Sequence, residues 1–182
     1  MLVEVVDDYE TLSDRAAASV IEQIRKKPDS TIGFATGGTP RGLYERLIEA
    51  HEERGLDFSK LTTFNLDEYV GLPPEHPQSY AHYMWSTLFD HVNVDESRVH
   101  IPHGMAEDID AHCRWYERRI EEAGGLDLQI LGIGANGHIA FNEPGSSLGS
   151  RTRIKTLTSK TVADNARYFD DEEMVPEYAI TM

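Results

Sequence analysis

The chain has 182 residues, a formal net charge of −15 and 40% hydrophobic content, which suits a single globular domain over 1–182 and excludes wholesale disorder. The acidic balance argues against a nucleic-acid partner or an anionic membrane surface, since both need clustered Lys and Arg. A small anionic metabolite stays open, because backbone amides and a few cations can focus positive potential locally.

Cys113 is the only cysteine, so neither an internal disulfide nor a four-cysteine zinc cluster is expected. The start of the chain lacks the basic and apolar regions of a secretory signal, and no apolar run is long enough to span a bilayer. The expected compartment is the cytoplasm.

In chain order, Leu2–Val6 is predicted as a short strand whose acidic end opens a helix. Leu12, Ala16, Val20 and Ile24 recur every fourth position and mark that helix's apolar face, closed by Arg25-Lys26-Lys27 before Pro28. Thr31–Ala35 reads as a buried strand. Thr36-Gly37-Gly38-Thr39-Pro40 leads into a second helix carrying Leu43, Leu47 and Ile48, with Pro40 in its first turn. Leu61–Asn65 is the next strand, followed by the acids Asp67 and Glu68 and a proline-rich loop over Gly71–Gln78. Tyr80–Val92 is predicted helical and Val99–Pro102 a short strand. Ile109, Cys113, Tyr116 and Ile120 form another helical stripe, ended by Gly124-Gly125. Leu126–Gly132 is a predicted strand, and a polar loop runs from Gly134 to about Gly149. Arg153–Thr158 and Tyr178–Met182 read as strands around a helix over Lys160–Phe169.

Alternating strands and helices predict an α/β fold: a mostly parallel, Rossmann-like sheet with helices on both faces, three layers in all. In such sheets ligands bind beyond the carboxyl ends of the strands. Three polar segments follow candidate strands there: Thr36–Pro40, Asp67–Tyr69 and Gly134–Glu143.

The first joins a strand to a helix, where glycines admit an anion close to the backbone and the helix start offers unpaired N–H groups. It lacks the Walker lysine and the dinucleotide spacing. A tight turn without a ligand explains it equally well. In the second, Asp67 and Glu68 at a partly dry rim can supply a general base, or can be a solvated loop. The third gathers Asn136, His138, Asn142 and Glu143. His138 suits proton transfer near neutrality, with Glu143 orienting its ring and Asn136 fixing the geometry from the other side. The spacing fits neither a helical zinc site nor a nucleophile elbow, and no metal is expected. Arg151, Arg153, Lys155 and Arg167 make a basic island suited to a phosphate or to surface ion pairs. Cys113 reads as a buried small hydrophobe.

Taken together, Thr36–Pro40, the Phe64-Asn65-Leu66-Asp67-Glu68-Tyr69-Val70-Gly71-Leu72-Pro73 segment, Gly137-His138-Ile139-Ala140-Phe141-Asn142-Glu143-Pro144 and Arg151–Thr158 resemble the glucosamine-6-phosphate deaminase (isomerase) family. The resemblance runs through nearly the whole chain in the right order. It implies that Asp67 moves a proton from C2 to C1 of the sugar. It further implies that His138, with Asn136 and Glu143, opens the ring, and that Gly38, Thr39 and Arg167 hold the phosphate. The implied substrate is a small sugar phosphate and no cofactor is expected. The resemblance leaves room for a homo-oligomer. Some members carry Asp at the place of Asn136, which can hydrogen-bond an imidazole without charge-stabilising it, so the relay is expected to lean on Glu143. Members usually continue past the equivalent of Met182 and add a lysine for the phosphate, so the family's C-terminal elements are expected to be missing here. Some also bind a regulatory sugar phosphate through residues matching Ser146, Arg153 and Lys155. A 6-phosphogluconolactonase, a galactosamine-6-phosphate deaminase and a sugar-phosphate sensor domain are the competing readings. The Asn65-Leu66-Asp67-Glu68-Tyr69 segment favours a deaminase over the lactonase, and Asp67, His138 and Glu143 together favour it over the sensor, with the C4 epimer left open.

Overall fold

A computed structural model describes residues 2–167, 169 and 175–182. Its elements are α1 (Tyr9–Lys26), β1 (Thr31–Phe34), α2 (Arg41–Arg54), β2 (Thr62–Asn65), β3 (Asp67–Tyr69), α3 (Tyr80–Thr87), β4 (Val99–His100), α4 (Ile109–Glu122), β5 (Leu128–Gln129), β6 (Arg153–Thr156), α5 (Ser159–Ala166) and β7 (Tyr178–Thr181).

Four strands form a parallel sheet in the order β4-β2-β1-β5. Side chains alternate across it. Ile32 and Phe34 of β1 join a core with Val20 and Ile24 of α1, Leu43, Tyr44 and Leu47 of α2, and Met84 of α3. Gly33 sits beside Phe64 in the ladder, and Phe64 packs edge-on against Tyr116 of α4, with ring centroids 5.5 Å apart. Helices therefore cover both faces, as the three-layer expectation required.

From β1 the chain passes through α2 to β2 on one side, whereas β5 lies on the other. A crevice opens at such a reversal, at the carboxyl ends of β1 and β5. The loops after these two strands are Thr36–Pro40 and the long polar segment from Gly134.

Other expectations need correction. Asp67–Tyr69 is not a loop. It is a strand in a second, antiparallel sheet of order β3-β7-β6, with Asp67 opposite Thr181 and Arg153 opposite Thr181 on the other side. Its ladder partner comes from the far end of the chain, which no local pattern reveals. Leu2–Val6 forms no strand, and Leu2 and Val5 are 92% and 91% exposed. Apolar residues make a segment competent for a ladder without supplying a partner. Only Leu128–Gln129 of the strand expected over Leu126–Gly132 is paired, and the helix expected over Tyr80–Val92 stops at Thr87 before a tight turn at Phe89–His91.

On α1 the buried face is Ser13, Ala17, Val20 and Ile24, while Leu12 is exposed. Burial of a serine reflects a close crossing with α2: a Cβ on Gly42 would lie 2.3 Å from the Ser13 hydroxyl. Among the described residues, no helix is long and apolar enough to cross a membrane.

Candidate functional site

The turn after β1 is held by its carbonyls. Gly37 has φ of +103°, a backbone region that glycine enters without steric cost. The Tyr83 hydroxyl of α3 donates to the Gly37 carbonyl at 2.6 Å. The Tyr9 hydroxyl donates to that of Thr39 at 2.9 Å and accepts from the Gly42 N–H at 2.8 Å. The N-cap residue Pro40 makes no side-chain capping bond to α2, so the Tyr9 hydroxyl on Gly42 takes up one first-turn amide. Gly38 and Thr39 are exposed at this helix start, where the dipole and the remaining first-turn N–H groups favour an anion. The Arg41 guanidinium lies 5.7 Å from the Tyr83 ring centroid. Sequence reasoning passed over Tyr9, Arg41 and Tyr83. Of these only Arg41 carried a local signal, a cation in the first turn after Pro40.

The corner from β2 into β3 is clamped by Tyr116. Its hydroxyl accepts from the Asn65 N–H at 3.1 Å and lies 2.8 Å and 3.0 Å from the carbonyls of Asn65 and His100. The next residues, Asp67 and Glu68, were expected as a pair. The strand instead sends them to opposite faces. Asp67 is 6% exposed, and its pKa is pushed up to about 8. Burial is the main cause, the Glu68 charge adds to it, and a hydrogen bond from the Phe141 amide opposes it. Glu68, 2% exposed, accepts from the N–H groups of Tyr69, Tyr80 and Ala81 at 2.8–2.9 Å. Burial raises it to about 7 against the pull of those three amides. Asp67 has one such opposing bond where Glu68 has three. Glu68 anchors the start of α3.

The loop after β5 is closed on itself. Gly134 donates to the His138 carbonyl at 2.9 Å, and Gly137 turns with φ of +86°. A Cβ on Gly134 would sit 2.1 Å from the His138 ring, so glycine is what lets the imidazole lie there. The Asn136 amide nitrogen donates to Glu143 at 3.2 Å, and its oxygen lies 2.6 Å from His138 Nδ1. A carboxylate only accepts, so the NH₂ must face Glu143 and the oxygen must face the ring. The ring then carries its proton on Nδ1 and leaves the Nε2 lone pair open. Glu143 accepts from the Thr158 hydroxyl at 3.2 Å and from that of Thr161. The Thr161 bond is the main cause holding its carboxyl below the usual range; partial desolvation opposes it, while Asn136, Thr158 and the His138 charge add to it. Glu143 was expected to orient the imidazole itself. It does so through Asn136, which lies between them.

These segments are joined. The Phe141 amide reaches Asp67, and the Phe141 ring packs 5.1 Å from Tyr69 and stacks on Tyr80 at 5.7 Å. Asn142 donates to the Met182 carbonyl at 2.6 Å, while the Met182 N–H donates to the Leu66 carbonyl at 2.9 Å. The imidazole loop is thus stitched to the strand that carries Asp67. Arg167 is exposed at the C-cap of α5, the helix whose Thr161 holds Glu143. The basic island divides: Arg151 pairs with Glu117 and Glu121 at 2.7 Å and 3.0 Å, and Arg153 donates to Asn142. Among the described residues no cluster of histidine, cysteine or carboxylate side chains suits a metal ion.

A family model for glucosamine-6-phosphate isomerases and 6-phosphogluconolactonases matches residues 7–165. A curated glucosamine-6-phosphate deaminase of Clostridium botulinum (strain Loch Maree / Type A3) is 53% identical over all 182 residues, which span 75% of its length. A solved structure of a monomeric glucosamine-6-phosphate deaminase is 48% identical with a TM-score of 0.97, covering this whole chain and 76% of its own. A 6-phosphogluconolactonase from Thermotoga maritima shares the fold with a TM-score of 0.73 at 22% identity, over 98% of this chain and 74% of its own.

Proposed function

This chain belongs to the glucosamine-6-phosphate isomerase/6-phosphogluconolactonase family, and we propose that within it the chain is a glucosamine-6-phosphate deaminase, forming fructose 6-phosphate and ammonia. Gly38 and Thr39 at the head of α2, with Arg167, hold the phosphate. His138 Nε2 takes the proton of the anomeric hydroxyl and returns it to the ring oxygen, breaking the C1–O5 bond. The open chain carries an aldehyde at C1. Asp67 removes the C2 proton, giving an enol-type intermediate, and delivers a proton to C1. The resulting C2 imine takes up water and releases ammonia, leaving the ketone. Tethering at the phosphate lets one carboxylate serve both carbons, an orientation effect.

The observation that carries this reading is a buried carboxyl, Asp67, on the strand to which the loop presenting the Asn136-held imidazole is stitched. A lactonase needs only ring hydrolysis and has no use for a C2 base beside the ring-opening loop. The test offers glucosamine, galactosamine and N-acetylglucosamine 6-phosphates in an ammonia-release assay beside a lactonase assay. Ammonia from glucosamine 6-phosphate supports the reading. Lactone hydrolysis without ammonia release overturns it.

A further inference from the structure

Asp67 and the anion turn act on opposite ends of one substrate, so the deaminase reading demands a fixed distance between them. Two buried or short contacts meet on α3 in a way that reading does not use. At one end Glu68, next to Asp67 but on the other face of β3, accepts from the amides of Tyr80 and Ala81 at 2.9 Å each. Those amides belong to the first turn of α3. At the other end of the same turn Tyr83 donates to the Gly37 carbonyl at 2.6 Å and lies beside Arg41 of α2. Met84, between these attachments and the rest of the helix, is fully buried, so α3 cannot slide without opening the core.

We infer that Glu68 and Tyr83 are positioning residues that make α3 a rigid spacer between the base strand and the anion turn. Neither touches the substrate. The inference rests on the proposed reaction for its kinetic consequence, although the mechanical link stands on these contacts alone. Cutting either attachment lets the turn drift relative to Asp67. Inorganic phosphate, which needs the turn but not the base, is then indifferent to the change. Turnover is not, because a misplacement of an ångström costs on the order of a hundredfold.

The experiment compares the full chain with Glu68→Gln, Tyr83→Phe and the double variant, by amide hydrogen exchange of the peptide covering 36–42 and by kinetics. Exchange there should accelerate in Glu68→Gln as it does in Tyr83→Phe, although residue 68 lies outside that peptide and contacts none of it. Ammonia release should fall about tenfold in kcat in both, with inhibition by inorganic phosphate within about twofold of wild type. The double variant should be no worse than the poorer single, since both cut one connection. Wild-type exchange over 36–42 in Glu68→Gln overturns the spacer, as do independent losses in the double variant. Absence of ammonia release from the wild type overturns the proposed reaction instead and leaves the exchange comparison decisive for the spacer. Should Glu68→Gln fail to fold, Tyr83→Phe still decides: kcat unchanged with phosphate inhibition weakened would make it a phosphate-loop contact only.

Discussion

The amide oxygen of Asn136 lies 2.6 Å from Nδ1 of His138, and its NH₂ is 3.2 Å from Glu143. The carboxylate therefore selects the ring tautomer at one remove, and Nε2 is the nitrogen left with an open lone pair. Asn136→Leu removes that selection while keeping the side chain's bulk. Expected is a loss of about 10² in kcat, in the range of general acid–base contributions. The same substitution on a His138→Gln background should add almost nothing, because Asn136 acts through the imidazole. Steady-state kinetics of the two singles and the double check this, and multiplicative losses would refute it.

His138→Gln itself separates ring opening from later steps. It should slow glucosamine 6-phosphate far more than an open-chain analogue, by about a hundredfold or more on the closed ring. Equal slowing on both would remove His138 from ring opening.

Asp67→Asn should abolish exchange of the C2 proton with solvent while binding of glucosamine 6-phosphate changes little. The wild-type pH profile follows from the same group. A base acts only when deprotonated, and burial raises Asp67 to about 8. Thus kcat/KM should climb with pH to a plateau above that value. Proton exchange measured by NMR in deuterated water, and initial rates from pH 6 to 9, test both halves. Retained exchange in the variant would assign the base elsewhere.

The same shift has a stability consequence. Because the folded pKa of Asp67 is raised above its ordinary value near 3.8, the folded state binds more protons than the unfolded one between the two. Its contribution is fully present below about pH 4 and is lost as pH rises through about 8. Asparagine lacks this loss. Asp67→Asn should therefore melt higher than wild type, by an amount that grows from pH 5 to pH 8 and reaches on the order of a few kcal/mol. A variant that is less stable at every pH would contradict the burial argument.

Gly134→Ala tests the placement of the imidazole without touching a functional group. Its Cβ would meet the His138 ring at 2.1 Å, so the ring must move. Activity should fall about a hundredfold, as expected for a displaced catalytic group, with the melting temperature within a few degrees of wild type. Unimpaired turnover would show that the ring's position is not critical.

Much of this site was legible in the residues because its chemistry is local. Asn136, His138 and Glu143 share one short loop, and the glycines that shape it lie within it. The turn at Thr36–Pro40 is likewise specified by two glycines, a proline and a flanking strand and helix. That the main sheet is parallel and covered by helices followed from apolar runs alternating with amphipathic stretches.

What the sequence could not disclose concerns partners distant along the chain. Nothing around Asp67 announces that β7 will pair with it or that packing will leave it only 6% exposed, which is what raises its pKa. Asp67 and Glu68 read as twins, yet the pleat of β3 turns one toward the imidazole loop and the other toward the amides of α3. Tyr83 reads as one more residue on a short helix until its hydroxyl is seen on Gly37. Ser13 reads as polar until Gly42 is brought against it. Residue types, their spacing and their turns are local properties of the polymer. Burial, and with it proton affinity and the distances between loops, is a property of the packed chain, so only the tertiary structure decides it.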